Sequence, residues 1–472
     1  MNRELFLRLD RVTRMQGLVR RVHEPQRSPD NPVLVGDSPW EKLASLYGTV
    51  LYEPHGGPSG RDRFRMWYLT GPYADGWIQV RGRKALGNIT LLGYATSEDG
   101  VHWIKPTLNQ LDVQGSVANN LIDIGRTNCE GIAVLRDPED PDAYRRYKAL
   151  YWEHGGVDSF REYKGRTIWG EGEEDGVWLS YSEDGIVWRD CGANPVISRG
   201  SDTTQSLVRD PRTGNYVAFG RFGVGGRVVG RSESEDALHF SAPELVLAPD
   251  EFDEEGTQFY GMPLDIYEGI YLGMLWVYRE GVDGCIETAL ATSRDGMTWE
   301  RTLDRQSFLR LGPEGSWEDG MVRVSQCFLT VGDQIYLYYG GVQGAHTGRK
   351  FDSVERHHQP AIGLATIRRD GFVSVEAGEV QGELLTHPCD LSGALHVNAS
   401  TRPGGWVEAE VTDDRGLLLE SWRSARFTGN ATAVQLEFAG DLDDLADRDL
   451  RLRFRLYRAN LFSYWWGTDG SA

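Results

Sequence analysis

The sequence lacks a surplus of basic residues. Its 472 residues carry 50 Lys and Arg against 70 Asp and Glu, which gives a formal net charge of -20 at pH 7. Such a chain has no excess of cations with which to neutralise phosphate groups. We therefore expect no nucleic-acid partner and no binding to anionic membranes, whereas small neutral or polar substrates remain open.

Long apolar stretches are also missing. No segment approaches the roughly 18 consecutive apolar residues of a membrane-spanning helix. The first ten residues mix Arg3, Glu4, Arg8 and Asp10 with apolar side chains, so they do not form the apolar centre of a signal peptide. The sequence thus predicts a cytoplasmic protein, and it leaves the oligomeric state open.

Cysteine is scarce and widely spaced. The five cysteines are an odd number, and no two of them form a C-x-x-C pair. This usage indicates a reducing compartment and no zinc site. The adjacent His357 and His358 have no third ligand at metal-binding spacing, so we predict neither a metal nor another cofactor.

Glycine and large aromatic residues are abundant. The chain has 57 Gly, 15 Trp and 20 Tyr, which is typical of a folded, turn-rich β protein in which aromatic rings pack and glycines form turns. Trp and Tyr also suit the faces of sugar rings, although structural packing explains most of them. We predict an all-β fold.

A short motif, S-x-D-G-x-x-W, repeats along the chain. It occurs at residues 97–103, 182–188 and 293–299, with a degenerate copy at residues 234–240. The Ser and Asp side chains are suited to bind nearby backbone amides, Gly to adopt a positive φ, and the aromatic residue to pack between sheets. We interpret the motif as a structural turn between two strands of a repeated unit.

Each repeat also contains an apolar strand of one type. Five such strands are centred near residues 66, 149, 218, 273 and 337, which predicts a five-bladed β-propeller with four strands in each blade. We expect a lead-in segment at residues 1–36 that lies across the first blade. The propeller would then span residues 37–382, and a C-terminal β-sandwich residues 383–472. The connection at residues 372–391 lacks the composition of a flexible linker, so we expect the two parts to be fixed to each other.

Acidic residues recur where a first strand of a repeat begins. The stretch at residues 200–221 shows the pattern: Asp202 precedes a strand, a D-P-R-T-G-N turn follows, and a second strand returns. Glu41, Glu130 and Asp319 stand at equivalent places. By contrast, the R-D-P stretches at residues 136–138 and 209–211 follow strands and are interpreted as turns.

Several of these motifs resemble a known group of enzymes. They are the S-x-D-G-x-x-W turns, R-M-W-Y at residues 65–68, D-P-R-T-G-N-Y at 210–216, Y-Y-G-G at 338–341 and the trailing β-sandwich. On these motifs the chain resembles the furanosidase-type five-bladed β-propellers of glycoside hydrolase families 32, 43 and 68, most closely proteins similar to family 32. The resemblance implies a hydrolase of glycosides, and it covers nearly the whole chain.

The resemblance also implies roles for the acids, because glycoside hydrolysis needs two carboxyl groups on either side of the scissile bond. By blade order, Glu41 corresponds to the nucleophile or base. Glu130 and Asp202 share the general-acid and transition-state-stabilising roles, and Asp319 or Glu318 supplies a fourth carboxylate. Each acid taken singly also fits a turn or cap. The predicted substrate-binding residues are Trp40, His154, Arg221, Tyr260, Trp317, Glu318 and His346.

Three functions remain open at this point. The first is a glycosidase with exo action on a small glycoside, because the connections at residues 71–87 and 341–359 are long enough to close a pocket. The second is a phosphorylase on a related propeller, which would bind phosphate through Arg and His. The third is a carbohydrate-binding protein without catalysis. Neither the sugar nor the retaining or inverting outcome follows from the sequence.

Overall fold

The protein is described by a computed structural model. The described residues are 3–56, 60, 63–74, 76–87, 89–124, 129–153, 160–163, 166–169, 175–198, 200–326, 328–346, 360–389, 393–413, 415–440 and 450–467. Within them the prediction of an all-β fold is confirmed, because strands alternate with turns and the helices are two 3-10 turns, Ala143–Arg145 and Leu303–Arg305. None of the helices in this part of the chain is long and apolar enough to cross a bilayer.

Thirty-six strands make up the described structure. In chain order they are β1 (Glu4–Leu5), β2 (Val12–Gln16), β3 (Val19–Val22), β4 (Gln26–Arg27), β5 (Ser45–Tyr52), β6 (Phe64–Thr70), β7 (Trp77–Val80), β8 (Arg83–Leu86), β9 (Leu91–Ser97), β10 (Leu121–Ile122), β11 (Glu130–Arg136), β12 (Tyr147–Glu153), β13 (Phe160–Tyr163), β14 (Arg166–Trp169), β15 (Gly176–Ser182), β16 (Arg189–Asp190), β17 (Ser206–Arg209), β18 (Tyr216–Gly220), β19 (Val229–Ser234), β20 (Glu244–Leu247), β21 (Thr257–Gly261), β22 (Leu264–Tyr267), β23 (Ile270–Arg279), β24 (Ile286–Ser293), β25 (Trp299–Arg301), β26 (Ser307–Leu309), β27 (Met321–Val324), β28 (Leu329–Val331), β29 (Gln334–Val342), β30 (Ala361–Arg368), β31 (Val373–Ala377), β32 (Gly382–Thr386), β33 (Leu395–Thr412), β34 (Leu418–Arg423), β35 (Asn430–Gln435) and β36 (Arg451–Trp466).

Three four-stranded antiparallel sheets follow one another along the chain. Sheet 1 has the order β5-β6-β9-β10, sheet 2 the order β11-β12-β15-β16, and sheet 3 the order β17-β18-β19-β20. In each, the strand predicted from the apolar repeat lies second, and β6 is buried along its whole length. When both faces of a strand are buried, its sequence is a continuous run of apolar residues, and this run made these strands recognisable in the sequence.

An eleven-stranded sheet contains two further copies of this arrangement. We call the half with β21 to β26 sheet 4 and the half with β27 to β30 and β4 sheet 5. A parallel pairing of Ile286 with Met321 joins the two halves. Their second strands, β23 and β29, are again the predicted apolar strands. The two-stranded ribbon β7-β8 lies within the 71–87 connection of sheet 1.

Neighbouring sheets are tied by a repeated hydrogen bond between a tyrosine and an acid. The hydroxyl of Tyr147 donates to Glu53 at 2.9 Å, that of Tyr216 to Asp137 at 2.6 Å, and that of Tyr271 to Asp210 at 2.8 Å. Each acid follows the first strand of one sheet, and each tyrosine begins the second strand of the next. The R-D-P acids are therefore structural turn residues, as predicted.

The S-x-D-G-x-x-W turns have the predicted geometry. Oδ1 of Asp99 accepts hydrogen bonds from the backbone amides of Val101 and His102, both at 2.8 Å, and the other copies repeat this pattern. Gly100 has φ 81°. The closing aromatic residue packs on a neighbouring sheet, as Trp299 does against Phe219 with ring centroids 5.8 Å apart.

A nine-stranded sheet combines the two ends of the chain. Its main path is β2-β32-β36-β31-β3, with β1 paired to β36, and with β33 paired to β34, β35 and β36. The lead-in was expected to lie across sheet 1. Instead β1 to β3 pair with C-terminal strands, whereas β4 pairs with β30 of sheet 5. These C-terminal strands offer open hydrogen-bonding edges, which the lead-in strands fill.

The C-terminal strands agree in part with the sequence prediction. The sequence predicts separate strands at residues 394–399 and 405–412, but these residues lie in the single bulged strand β33. It also predicts Arg451, Arg453, Arg455 and Arg458 on the outward face of one strand. The first three alternate with buried residues on β36, whereas Arg458 breaks the alternation. A continuous hydrophobic cluster includes Phe454 of β36 and Met274 of sheet 4, so the nine-stranded sheet packs firmly on the repeated sheets.

Candidate functional site

Two of the predicted acids lie where sheets 2 and 3 meet. The backbones of sheets 2 and 3 touch just beyond them: the amide of Gln205 donates to the carbonyl of Gly131 at 3.0 Å, and a Cβ on Gly131 would lie 1.9 Å from the carbonyl oxygen of Thr203. Glu130 and Asp202 each precede one of these touching residues. Only glycine at position 131 permits this close approach of the two backbones. The approach places Glu130 and Asp202 at the contact between the two sheets.

Both carboxylates are accessible and hydrogen-bonded. Glu130 is partly exposed and accepts a hydrogen bond from the hydroxyl of Thr90 at 3.3 Å. The side chain of Asp202 is 71% exposed, with Oδ2 lying 3.4 Å from Nη1 of Arg221. A substrate in solution can therefore reach both acids.

Arg221 and Tyr260 lie beside Asp202. Nη2 of Arg221 donates to the carbonyl of Tyr260 at 2.8 Å, and the guanidinium carbon lies 4.9 Å from the centroid of the Tyr260 ring. This arrangement fixes the cation against an aromatic face. The two predicted binding residues thus form one unit with Asp202.

His346 belongs to the same group. Its ring lies 4.7 Å from that of Tyr260 and 5.2 Å from that of Tyr278, edge to face in both cases. Burial lowers the pKa of His346 to about 4, and the charges of Arg227, Arg323 and Arg221 act in the same direction. The imidazole is therefore neutral at pH 7, and it can donate or accept a hydrogen bond without adding charge.

Four members of this group, Tyr47, Arg227, Tyr278 and Arg323, were missed in the sequence. Arg323 is 5% exposed, donates to the hydroxyl of Tyr47 and lies 4.5 Å from the centroid of that ring. The guanidinium of Arg227 lies 5.1 Å from the Tyr260 ring and donates to Gln258 at 2.8 Å. A sequence signal existed for Arg323, because it interrupts the apolar strand M-V-R-V of β27.

We call this group the arginine cluster. Its members are Tyr47, Asp202, Arg221, Arg227, Tyr260, Tyr278, Arg323 and His346.

Glu41 lies elsewhere, in a buried network of sheet 1. Its residue has no exposed surface, and Oε1 accepts a hydrogen bond from Tyr68 and lies near the ammonium of Lys105, each at 2.9 Å. Burial raises the pKa of the Glu41 carboxyl, an effect that Lys105 opposes. Trp40 belongs to the same network, because Nε1 donates to Asn120 at 3.0 Å.

The acids before β27 also have structural contacts. Asp319 accepts hydrogen bonds from the backbone amides of Gly315 and Gly344, both at 2.7 Å. Glu318 is 4% exposed and pairs with Arg27 of the lead-in at 2.9 Å. Trp317 stacks on Tyr339 with ring centroids 5.8 Å apart. These three residues hold a loop and the lead-in against sheet 5.

The structure thus divides the predicted site residues. Asp202, Arg221, Tyr260 and His346 come together in the arginine cluster, and Glu130 lies on the adjacent strand. Glu41 with Trp40, and Asp319 with Glu318 and Trp317, belong to two other networks. His154, His357 and His358 lie outside the described residues. Among the described residues, no group of three or more His, Cys, Asp and Glu side chains could hold a metal ion.

Comparisons with known proteins find similarity in structure. No family model matches the sequence, and no curated protein is significantly similar to it. The structures found include an N-acetylgalactosamine deacetylase from F. plautii, at 16% identity and TM-score 0.47, covering 75% of this chain and 97% of that one. A β-1,2-mannobiose phosphorylase from Listeria innocua has 12% identity, TM-score 0.48 and coverages of 73% and 97%.

Two of the families that the sequence motifs resemble, families 32 and 43, are also represented among these structures. The family 32 β-fructofuranosidase BmSUC1 of Bombyx mori has 11% identity and TM-score 0.41, covering 94% of each chain. A family 43 arabinoxylan arabinofuranohydrolase from Bacillus subtilis has 11% identity and TM-score 0.40, covering 93% of this chain and 98% of that one. The resemblance is therefore found again, but similarities this weak assign no substrate or mechanism to this chain.

Proposed function

We propose that the chain is a glycosidase that acts on a small glycoside at the arginine cluster. The observation that carries the proposal is the placement of Glu130 and Asp202, two accessible carboxylates that precede touching residues of neighbouring strands. Hydrolysis of a glycosidic bond requires such a pair.

The proposed framework is a five-bladed β-propeller at residues 37–382, formed by sheets 1 to 5, with a β-sandwich at 383–472. Two strands cross these bounds, because β4 of the lead-in joins sheet 5 and β31 joins the nine-stranded sheet. Contacts between the last and first sheets support a closed ring. The hydroxyl of Tyr338 donates to the carbonyl of Gly100 at 2.6 Å, and the side-chain amide of Gln326 donates to the hydroxyl of Thr49 at 2.6 Å. In such a ring the first strands surround one central channel.

The contacts of the two acids favour different roles. Arg221 lies beside Asp202 and suits it to the part of the ionised carboxylate, as base or nucleophile. The role of general acid then falls to Glu130, the other carboxylate of the pair. Tyr260, Arg221 and His346 would bind sugar hydroxyls, and the hairpin in the 71–87 connection would limit the pocket to exo action. The contacts of Glu41 and Asp319 give no such support for a part in catalysis.

Hydrolysis of a panel of nitrophenyl glycosides and fructans tests this proposal. Glu130→Gln and Asp202→Asn should each lower turnover of the best substrate on the order of 10²-fold or more, the scale of a positioned acid or base. Asp99→Asn changes an acid in a structural turn, and it should leave turnover close to that of the parent. Parental turnover in both acid variants would remove these two residues from the mechanism.

A further inference from the structure

The arginine cluster carries more positive charge than its protein partners balance. Arg221 faces the carboxylate of Asp202. In the described part of the chain, Arg227 and Arg323 form no ion pair, and their hydrogen bonds go to the neutral Gln258 and Tyr47. Glu280 reaches Arg227 only indirectly, through Gln258. Two of the three guanidinium groups, those of Arg227 and Arg323, thus have no carboxylate in direct contact within the described residues.

The cluster also has unused hydrogen-bond donors. The buried Nε atoms of Arg221 and Arg323 have no hydrogen-bond acceptor among the described residues. A buried donor without an acceptor is unfavourable, and Arg323, which is only 5% exposed, adds the cost of an unpaired charge. Both costs fall if an anion with two oxygen atoms binds, because the planar fork of arginine matches a carboxylate.

The surroundings favour an anion that is attached to a sugar. Each unpaired cation lies against an aromatic ring, Arg323 at Tyr47 and Arg227 at Tyr260, and an aromatic ring next to a cation suits a sugar ring that bears an acidic group. The neutral His346 adds a hydrogen-bonding group without adding charge.

We propose that the arginine cluster binds the carboxylate of an acidic sugar, so that the substrate is a glycoside of a uronic acid. This inference rests on the proposed function only for the fate of the sugar; binding of the anion stands by itself. It assigns to Arg227 and Arg323 the recognition of the carboxylate, which distinguishes acidic from neutral glycosides.

Calorimetric titration of the full-length chain tests the proposal. The methyl glycosides of glucuronic and galacturonic acid should bind at least about 10-fold more tightly than those of glucose and galactose, because a hydrogen bond between charged groups has this scale. Arg227→Gln, at a half-buried position, should remove most of this preference, and so should Arg323→Gln if it folds. Arg310→Gln removes an exposed arginine on sheet 4 and should retain the preference.

Two results would overturn the proposal. One is equal affinity for acidic and neutral sugars, or a preference that Arg227→Gln leaves unchanged. The other is saturable binding of inorganic phosphate that depends on Arg227, with no binding of the acidic sugars, which would make free phosphate the ligand.

Turnover of nitrophenyl glucuronide and nitrophenyl glucoside separates this inference from the proposed function. If acidic sugars bind and no glycoside is cleaved, the glycosidase proposal fails and the carboxylate site stands. If neutral glycosides are cleaved and acidic sugars do not bind, the glycosidase proposal stands and the carboxylate site is wrong.

Discussion

Lys105 and Tyr68 hold Glu41 in a position where its charge is unfavourable. Burial raises the pKa of this carboxyl above its ordinary value of 4.5 despite the contact with Lys105. A raised pKa in the folded state means that the associated stability is fully present below pH 4.5 and is lost as the pH rises through the folded-state value. Each unit of pKa difference corresponds to about 1.4 kcal/mol.

Glu41→Gln should therefore unfold at or above the urea concentration of the parent at pH 7. The amide removes the charge and keeps an acceptor for Tyr68, and the advantage should shrink as both proteins are brought toward pH 4. Urea unfolding at the two pH values measures this, and turnover should stay near the parental rate. A loss of about 10²-fold in turnover would instead make Glu41 catalytic.

At the scale of residues, the sequence distinguishes poorly between a catalytic acid and a structural one. Asp202 and Asp319 show the same local pattern, an acid before a strand. The acceptor role of Asp319 depends on Gly344, which is distant in the chain, and no local pattern reveals such a partner. Arg227 was missed because it lies in a glycine-rich connection where a surface arginine is ordinary.

Strands and turns were predicted far better, because their causes are local. The S-x-D-G-x-x-W turn is completed within seven residues, and its hydrogen bonds are those expected. In the degenerate copy Ala237 takes the glycine position with φ 64°. The partners of the lead-in and the pairing of β33 were not predicted, because pairing between distant segments leaves no trace in either segment.

The turn glycines also provide a test at the scale of elements. A Cβ on Gly185, where φ is 75°, would lie 2.8 Å from the Trp67 ring of the neighbouring sheet. Gly192 has φ 80°, with no atom within 4 Å of its Cβ position. Gly192→Ala should cost only the strain of a positive φ, about 1 to 2 kcal/mol. Gly185→Ala should cost about 1 to 3 kcal/mol more, because it also overpacks the contact between sheets.

Urea unfolding of the two variants measures this difference directly. Equal losses of stability in the two variants would mean that Gly185 does not pack closely against Trp67 of sheet 1.

For the whole molecule, the lead-in should be essential to the fold. Phe6 of this segment is 2% exposed and packs in the largest hydrophobic cluster, so Phe6→Ala should cost about 3 to 5 kcal/mol. Val19, on β3 of the same segment, is 56% exposed, and Val19→Ala should change stability by less than about 0.5 kcal/mol. Deletion of residues 1–24 should expose apolar surface that binds a hydrophobic dye.

A synthetic peptide of residues 1–24 should suppress that dye binding when it is added to the deletion variant. A deletion variant that melts at the same temperature as the parent would mean that β1 to β3 contribute little to the stability of the fold. Truncation at residue 382 removes β36, the partner of β1 and β31, together with β33, and should likewise expose apolar surface.

The pairing of β1 with β36 also determines when this part of the fold can form during biosynthesis. Leu5 pairs with Ser463, so β1 does not meet this partner until the residues between the two strands have been translated. At about 5 to 20 residues per second, the wait is roughly 20 to 90 seconds. During that time the apolar residues of the lead-in are available to chaperones and to other nascent chains. Completion of the nine-stranded sheet therefore has to wait for the translation of β36.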